Sequence, residues 1–123
     1  MARAKRSRPF LSEEATRLVA ERFRALADAN RLRLLSVLME GERSVGDLVA
    51  AVGLEQPTVS RHLAVLRRQG IVARRTDANR AYYRIVDATV VTLCEVVCGG
   101  LVEQLASGLE ELPSPKAWRG TGI

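Results

Sequence analysis

The sequence predicts a mainly α domain carrying one small β-hairpin, and three observations predict it. Apolar residues recur at helical spacing along much of the chain, as in Val59, Leu63 and Leu66. Only two neighbouring runs, Ile71–Thr76 and Arg80–Val86, have the β-branched and aromatic content of strands, and Asp77-Ala78-Asn79 between them is turn chemistry. Helix caps and stops punctuate the chain at Ser12, Asp28, Gly41 and Gly70.

The elements follow in order. Met1–Phe10 carries Arg3, Lys5, Arg6 and Arg8 with little to bury, so residues 1–11 read as a basic flexible arm. Residues 12–110 form the folded domain. Ser12 caps a helix to about Ala27 whose face bears Val19, Phe23 and Leu26. Asp28 caps the next helix, which holds Leu32, Leu34, Leu35, Val37 and Leu38 and stops before Gly41. Arg43-Ser44-Val45 is a candidate third strand beside the hairpin. A short helix, roughly Gly46 to Val52, is joined through the tight turn Gly53-Leu54-Glu55 to another that starts at Gln56 and stops at Gly70. A long helix is expected from Ala88 to Leu109. Pro113-Ser114-Pro115 ends helical structure, and residues 111–123 read as a flexible tail.

Two short helices joined by a Gly-containing turn, the second polar and basic outside, make a helix-turn-helix, and the hairpin after it makes a winged helix. The second helix of such a unit enters the DNA major groove. Its exposed face carries Thr58, Ser60, Arg61, Arg67, Arg68 and Gln69. Gln56, Thr58, Ser60, Arg61, His62, Arg67 and Arg68 are the candidate DNA contacts of this helix, with His62 a packing or DNA-proximal residue, and Arg75, Arg80 and Arg84 are those of the wing. Charge is distributed to match. Residues 1–86 hold 17 Lys+Arg against 9 Asp+Glu, and residues 87–123 hold 2 against 5. A cationic half suits the phosphate backbone, where counterion release drives binding. The preference for Arg over Lys fits bidentate contacts to guanine and phosphate, and fits a high-GC genome equally.

Other function classes fare worse. One His, no Gly-rich phosphate loop and no paired carboxylates leave little to catalyse with, so no enzyme is expected. No apolar run approaches the ~18 residues of a membrane span, and no secretory signal is evident, so the expected location is the cytoplasm, with free thiols. A winged helix used only for protein interaction would need no cationic recognition face.

Apolar positions of the long helix cover more than one face. A terminal helix needs only one face for its own core, so a second copy of the chain is the economical cover for the rest. Val90, Cys94, Val97, Leu101 and Leu105 are the expected dimer seam, joined by the first helix.

Ala25-Leu-Ala-Asp-Ala-Asn-Arg-Leu-Arg-Leu-Leu35, Gly41-Glu-Arg-Ser-Val-Gly-Asp-Leu48, Gln56-Pro-Thr-Val-Ser-Arg-His-Leu63, Leu66–Val72 and Tyr82-Tyr-Arg84 together resemble the ArsR/SmtB family of bacterial and archaeal winged-helix repressors. The resemblance spans about Glu14 to Leu109. It implies a homodimer held by helices at both ends of the chain. It also implies repression from a palindromic double-stranded operator, with an inducer lowering DNA affinity. Glu55 departs from the Ser that often caps the family's recognition helix. The arsenite sensors' Cys-Val-Cys is Ser44-Val45-Gly46 here, and the His-rich site of the zinc and nickel sensors is excluded by the lone His62.

Cys94 and Cys98 remain as candidate metal ligands. Their i,i+4 spacing places both on one helical face. Thiolates suit a thiophilic metal or metalloid ion such as As(III), Cd(II), Hg(II), Cu(I) or zinc, and dimer symmetry could bring four together. The same pair could sense oxidants or reactive sulfur. It could also simply pack, in a regulator with no metal or redox input.

Overall fold

A computed structural model describes residues 11–108 of the 123-residue chain. The expected arm, apart from Leu11, and the expected tail lie outside the described residues.

Four of the five described helices begin where a short polar side chain accepts backbone N–H groups left free by the first turn. Ser12 Oγ accepts the Ala15 N–H at 3.1 Å and opens α1, Glu13–Leu26. Asp28 Oδ1 accepts Asn30 and Arg31 N–H at 2.9 and 3.1 Å and opens α2, Ala29–Leu38. Strand β1 is only Arg43–Ser44, and Ser44 Oγ then accepts the Asp47 N–H at 3.1 Å to start α3, Val45–Val52. Gly53, in the left-handed region at φ 71°, closes α3 and turns the chain into α4, Gln56–Arg68. That conformation suits a residue without Cβ. Asp87 caps the last helix, α5, Ala88–Ala106.

The hairpin strands are β2, Val72–Asp77, and β3, Arg80–Ile85. Strand β1 pairs antiparallel with β3, opposing Arg43 to Tyr83 and Ser44 to Tyr82, so the sheet order is β1-β3-β2. The hairpin turn is tighter than its chemistry suggested. Asp77 pairs with Arg80, leaving Ala78 and Asn79 as a two-residue loop with φ of 49° and 69°. Two consecutive positive φ values match the right-handed twist of the flanking strands. Ile71 also leaves its expected strand: its N–H bonds the Leu66 carbonyl at 3.0 Å and seals the end of α4.

The core sits where α2, α3, α4 and the wing root meet. Leu34, Leu35, Leu48, Val59, Leu63, Leu66 and Ile71 are wholly buried there. Each such side chain contributes on the order of 1.5–3 kcal/mol through burial. Ala25 and Leu26 add the end of α1, Val72 and Tyr83 the base of the hairpin, and Val90 the first turn of α5.

Helix α5 changes two expectations. It ends at Ala106, followed by a turn through Ser107 and the left-handed Gly108, and Leu109 lies outside the described residues. By length and composition it is apolar enough to cross a membrane, contrary to the absence of any such run expected from the sequence. Isolated Thr89, Thr92, Glu95 and Glu103 are too few to offset its aliphatic content. Its place is nonetheless in this domain, because Val90 is in the common core and Leu93 and Cys94 pack against it.

Of the expected dimer seam, Val90 and Leu105 are buried within the chain, Cys94 and Leu101 are half-buried, and Val97 is exposed. Exposed large apolar side chains on the two terminal helices are Val96, Val97 and Val102 on α5 and Leu18, Val19 and Phe23 on α1. An ion pair between Arg22 and Asp87 ties these two helices together.

Ala78 occupies a conformation that costs a β-carbon about 1–2 kcal/mol, only partly offset by the greater unfolded-state freedom of glycine. Ala78→Gly is therefore expected to stabilise the domain by about 0.5–1 kcal/mol, read as a higher urea midpoint at unchanged slope.

Candidate nucleic-acid interface

Helix α4 meets the core through Val59, Leu63 and Leu66, a stripe at helical spacing. This leaves Gln56, Arg61, Arg67 and Arg68 exposed and Thr58 and Ser60 half-exposed. Pro57 stands in the first turn, where its missing N–H costs no helical bond. Glu55 occupies the cap position, but its side chain accepts no N–H; only its carbonyl does, from Thr58 and Val59 at 3.0 and 3.1 Å. The Glu55 carboxylate still places a negative charge at the positive end of the helix dipole.

His62 is not on this outward face. Its ring is half-buried, with Nδ1 3.2 Å from an Arg31 guanidinium nitrogen and 4.0 Å from Asp28 Oδ1. A guanidinium can only donate, so Nδ1 is the acceptor. The direction of the ring removes His62 from the set of groove-facing side chains read from the sequence. Arg31 also donates to the last carbonyls of α1, those of Ala25 at 2.6 Å and Arg24 at 3.1 Å. Asp28 is held below the usual carboxylate range, first by the Arg31 backbone N–H, then by the charge of Arg31 and the Asn30 N–H, against an opposing effect of burial.

The wing presents Arg74, Arg80 and Arg84 to solvent. Arg75 is differently employed. Its Nε and a terminal nitrogen grip the Glu42 carboxylate at 2.9 and 2.7 Å, and its guanidinium lies 4.6 Å from the Tyr82 ring centroid. Such a bidentate, stacked arginine is a brace between the hairpin and Glu42, the residue just before β1, rather than a free cation. Arg75 thus leaves the set of wing phosphate ligands expected from sequence, and Arg74, which that set omitted, is exposed beside it. Glu42's carboxyl is lowered, chiefly by the hydrogen bonds from Arg75 and further by the charges of Arg75 and Arg84.

One concavity joins α4 to the wing. An open groove of about 480 Å³ runs between the starts of α3 and α4 and the wing turn, lined by Ser44, Asp47, Gln56, Asn79 and Arg80 among others. Gln56 and Arg80, 24 positions apart, therefore border one concavity.

The two cysteines share α5 but not an environment. Cys94 is half-buried, and burial first, then Cys98 and Glu95, push its thiol up from the ordinary value. Cys98 is exposed. Among the described residues no group of three or more His, Cys, Asp or Glu is placed to hold a metal. One chain thus supplies two thiols, short of the four ligands of a closed tetrahedral site.

Residues 28–74 match the family described as "Bacterial regulatory protein, arsR family". The chain is 39% identical over 107 residues to an uncharacterized HTH-type transcriptional regulator of Mycobacterium tuberculosis, covering 86% of this chain and 94% of that one. It is 39% identical over 93 residues to a transcriptional repressor SmtB homolog of Synechocystis, covering 76% and 70%. A solution structure of a homodimeric winged helix-turn-helix DNA-binding domain of Mycobacterium bovis superimposes with a TM-score of 0.70 at 33% identity, covering 80% and 94%.

The Glu42–Arg75 brace makes a pH prediction. A carboxylate lowered in the folded state stabilises above its unfolded value and loses that contribution as pH falls through the folded one. The Glu42 carboxyl carbon, followed by NMR, should titrate below the ordinary glutamate range and return toward it in Arg75→Ala. An ordinary wild-type midpoint would show that the brace does not persist in solution.

Proposed function

The chain belongs to the arsR family of bacterial regulatory proteins, and on that footing we propose that it is a dimeric repressor that occupies a palindromic operator and leaves it when an inducer acts. It is a DNA-binding transcriptional regulator, not an enzyme. The observation that carries the reading is the outward face of α4, where Gln56, Arg61, Arg67 and Arg68 are exposed and Gln56 borders one groove with Arg80 of the wing. Thr58, Ser60 and Arg61 lie in the first turns, the end of a recognition helix nearest the base edges. Arg74, Arg80 and Arg84 suit phosphates on either side of the groove.

Dimerisation follows from surface chemistry. Val97 is 52% exposed and Phe23 51%, on two helices that would otherwise present aliphatic patches to water. The homodimeric relative supports the same assembly. Two recognition helices related by a two-fold axis read a palindrome with half-sites about 34 Å apart. As a regulator of the cell's own genes, the protein works in the cytoplasm.

For the inducer, Cys94 and Cys98 are the candidate receptors of a thiophilic ion or a thiol-reactive species. Four thiols from two copies would complete a soft-ligand set that neither chain holds alone. A second reading, regulation without metal or redox input, draws support from Cys94 itself, whose half-buried, protonated thiol behaves as a small apolar side chain.

Three outcomes test this. Arg61→Ala is expected to cost ~1–3 kcal/mol on the operator and less on random duplex, measured by fluorescence anisotropy at one salt concentration; equal losses would make it a phosphate contact. Val97→Glu should convert the dimer to monomer in light scattering at micromolar concentration and weaken operator binding with it; a wild-type monomer would sink the assembly. Cys94→Ser with Cys98→Ser should keep operator affinity while abolishing release by As(III), Cd(II), Zn(II) or a persulfide donor. If wild type ignores all four, the pair only packs.

A further inference from the structure

We propose that Arg31 is a positioning residue for DNA reading: its guanidinium ties the carbonyl end of α1 to His62 and so fixes the rotation of α4 about its own axis. The inference rests on α4 being the helix that reads bases.

The geometry is a three-way junction. Nε and one terminal nitrogen of Arg31 bond the Ala25 and Arg24 carbonyls at 2.6 and 3.1 Å, and the other terminal nitrogen bonds His62 Nδ1 at 3.2 Å. That last nitrogen also lies 4.0 Å from Asp28 Oδ2, so the charge has its counterion within the cluster. The side chains of Arg31 and His62 are only 16% and 14% exposed, which keeps water from substituting for either partner.

The junction supplies what packing cannot. Val59, Leu63 and Leu66 hold α4 to the core through non-directional contacts, which constrain its distance more than its rotation. A hydrogen bond weakens steeply as its angle departs from linearity, so the Arg31–His62 contact resists rotation. Rotation matters because Arg61 adjoins His62 on the helix, and a bidentate base contact requires its fork to meet two atoms of one base edge. The other end of the junction is α1, whose exposed Val19 and Phe23 face the proposed partner copy. Arg31 thereby refers the reading helix to the frame of the dimer. Lysine cannot replace it, since a single ammonium lacks the planar fork that spans three acceptors.

The test uses the full chain. A random duplex library is selected with wild type, and affinities are then measured for the most enriched duplex and a scrambled one of equal composition. Arg31→Lys and His62→Ala should each lose about tenfold of the preference for the enriched duplex, the size of one weakened base contact, with scrambled-duplex affinity unchanged. His62→Asn, which offers an acceptor oxygen in place of Nδ1, should recover most of it. If Arg31→Lys does not fold, the two His62 variants carry the test, because both leave the bonds from Arg31 to α1 in place. Equal losses on both duplexes, no loss, or an Asn variant no better than Ala would overturn the assignment. A wild type that enriches no sequence overturns the proposed function itself, a different and distinguishable failure.

Discussion

A recognition helix has to be held firmly while most of its circumference stays free, and in this chain three side chains do the holding. Val59, Leu63 and Leu66 are fully buried, and Arg61, Arg67 and Arg68 on the remaining surface are exposed. Much of the domain is the socket for that stripe. Leu34, Leu35 and Leu48 come from the two preceding helices, and Ile71 seals the far end. Gly53 and Gly70, both at positive φ, let the chain enter and leave α4 sharply enough for α3 and β2 to pack beside it. So narrow a contact buries enough apolar area for adhesion but gives little angular control, which is left to polar junctions such as Arg31–His62.

The second organising fact is an excess of apolar surface over what one chain can cover. A domain of about 100 residues has a small core, and exposed aliphatic side chains scattered singly would need no explanation. Here six of the nine exposed large apolar side chains among the described residues fall on two helices: Val96, Val97 and Val102 on α5, with Leu18, Val19 and Phe23 on α1. The same grouping gives α5 the composition of a membrane-crossing helix. Burial against a second copy accounts for both observations at once. The Arg22–Asp87 pair bears on the same surface, since Asp87 also caps α5 and so fixes where that helix starts relative to α1.

What could be read from the sequence divides along physical lines. Local signals were legible: Ser12 and Asp28 cap helices, Val59, Leu63 and Leu66 form the buried stripe, and Arg43–Ser44 pairs with the wing. Each depends on residues a few positions apart or on a periodicity of one element. Contacts between distant residues were not legible. Arg75 and Glu42 are 33 positions apart, and Arg31 and His62 are 31. Arginines on a strand look alike in sequence, and only the fold reveals that Arg75 is already occupied while Arg74, Arg80 and Arg84 are exposed. The hairpin turn was misplaced by one residue for a related reason. Asp77 is a turn residue by chemistry, but its pairing with Arg80 continues the ladder and pushes the turn onto Ala78 and Asn79.

The cysteine pair shows how far helical spacing alone can mislead about chemistry. Positions four apart share a face, which made Cys94 and Cys98 look equivalent. In the fold, α5 meets the core near its N-terminal end, through Val90, Leu93 and Cys94, and one turn later its residues are exposed. Cys94 lies on the side of that boundary where burial disfavours the thiolate, and Cys98 lies beyond it. A thiol nucleophile or metal ligand must be deprotonated, so burial works against Cys94 in either role. Any ligand that recruits both must draw Cys94 out of the neutral form the core favours, and the packing of α5 on the core then moves with it. The burial that disfavours the Cys94 thiolate is therefore also what would couple its ligation to the rest of the domain.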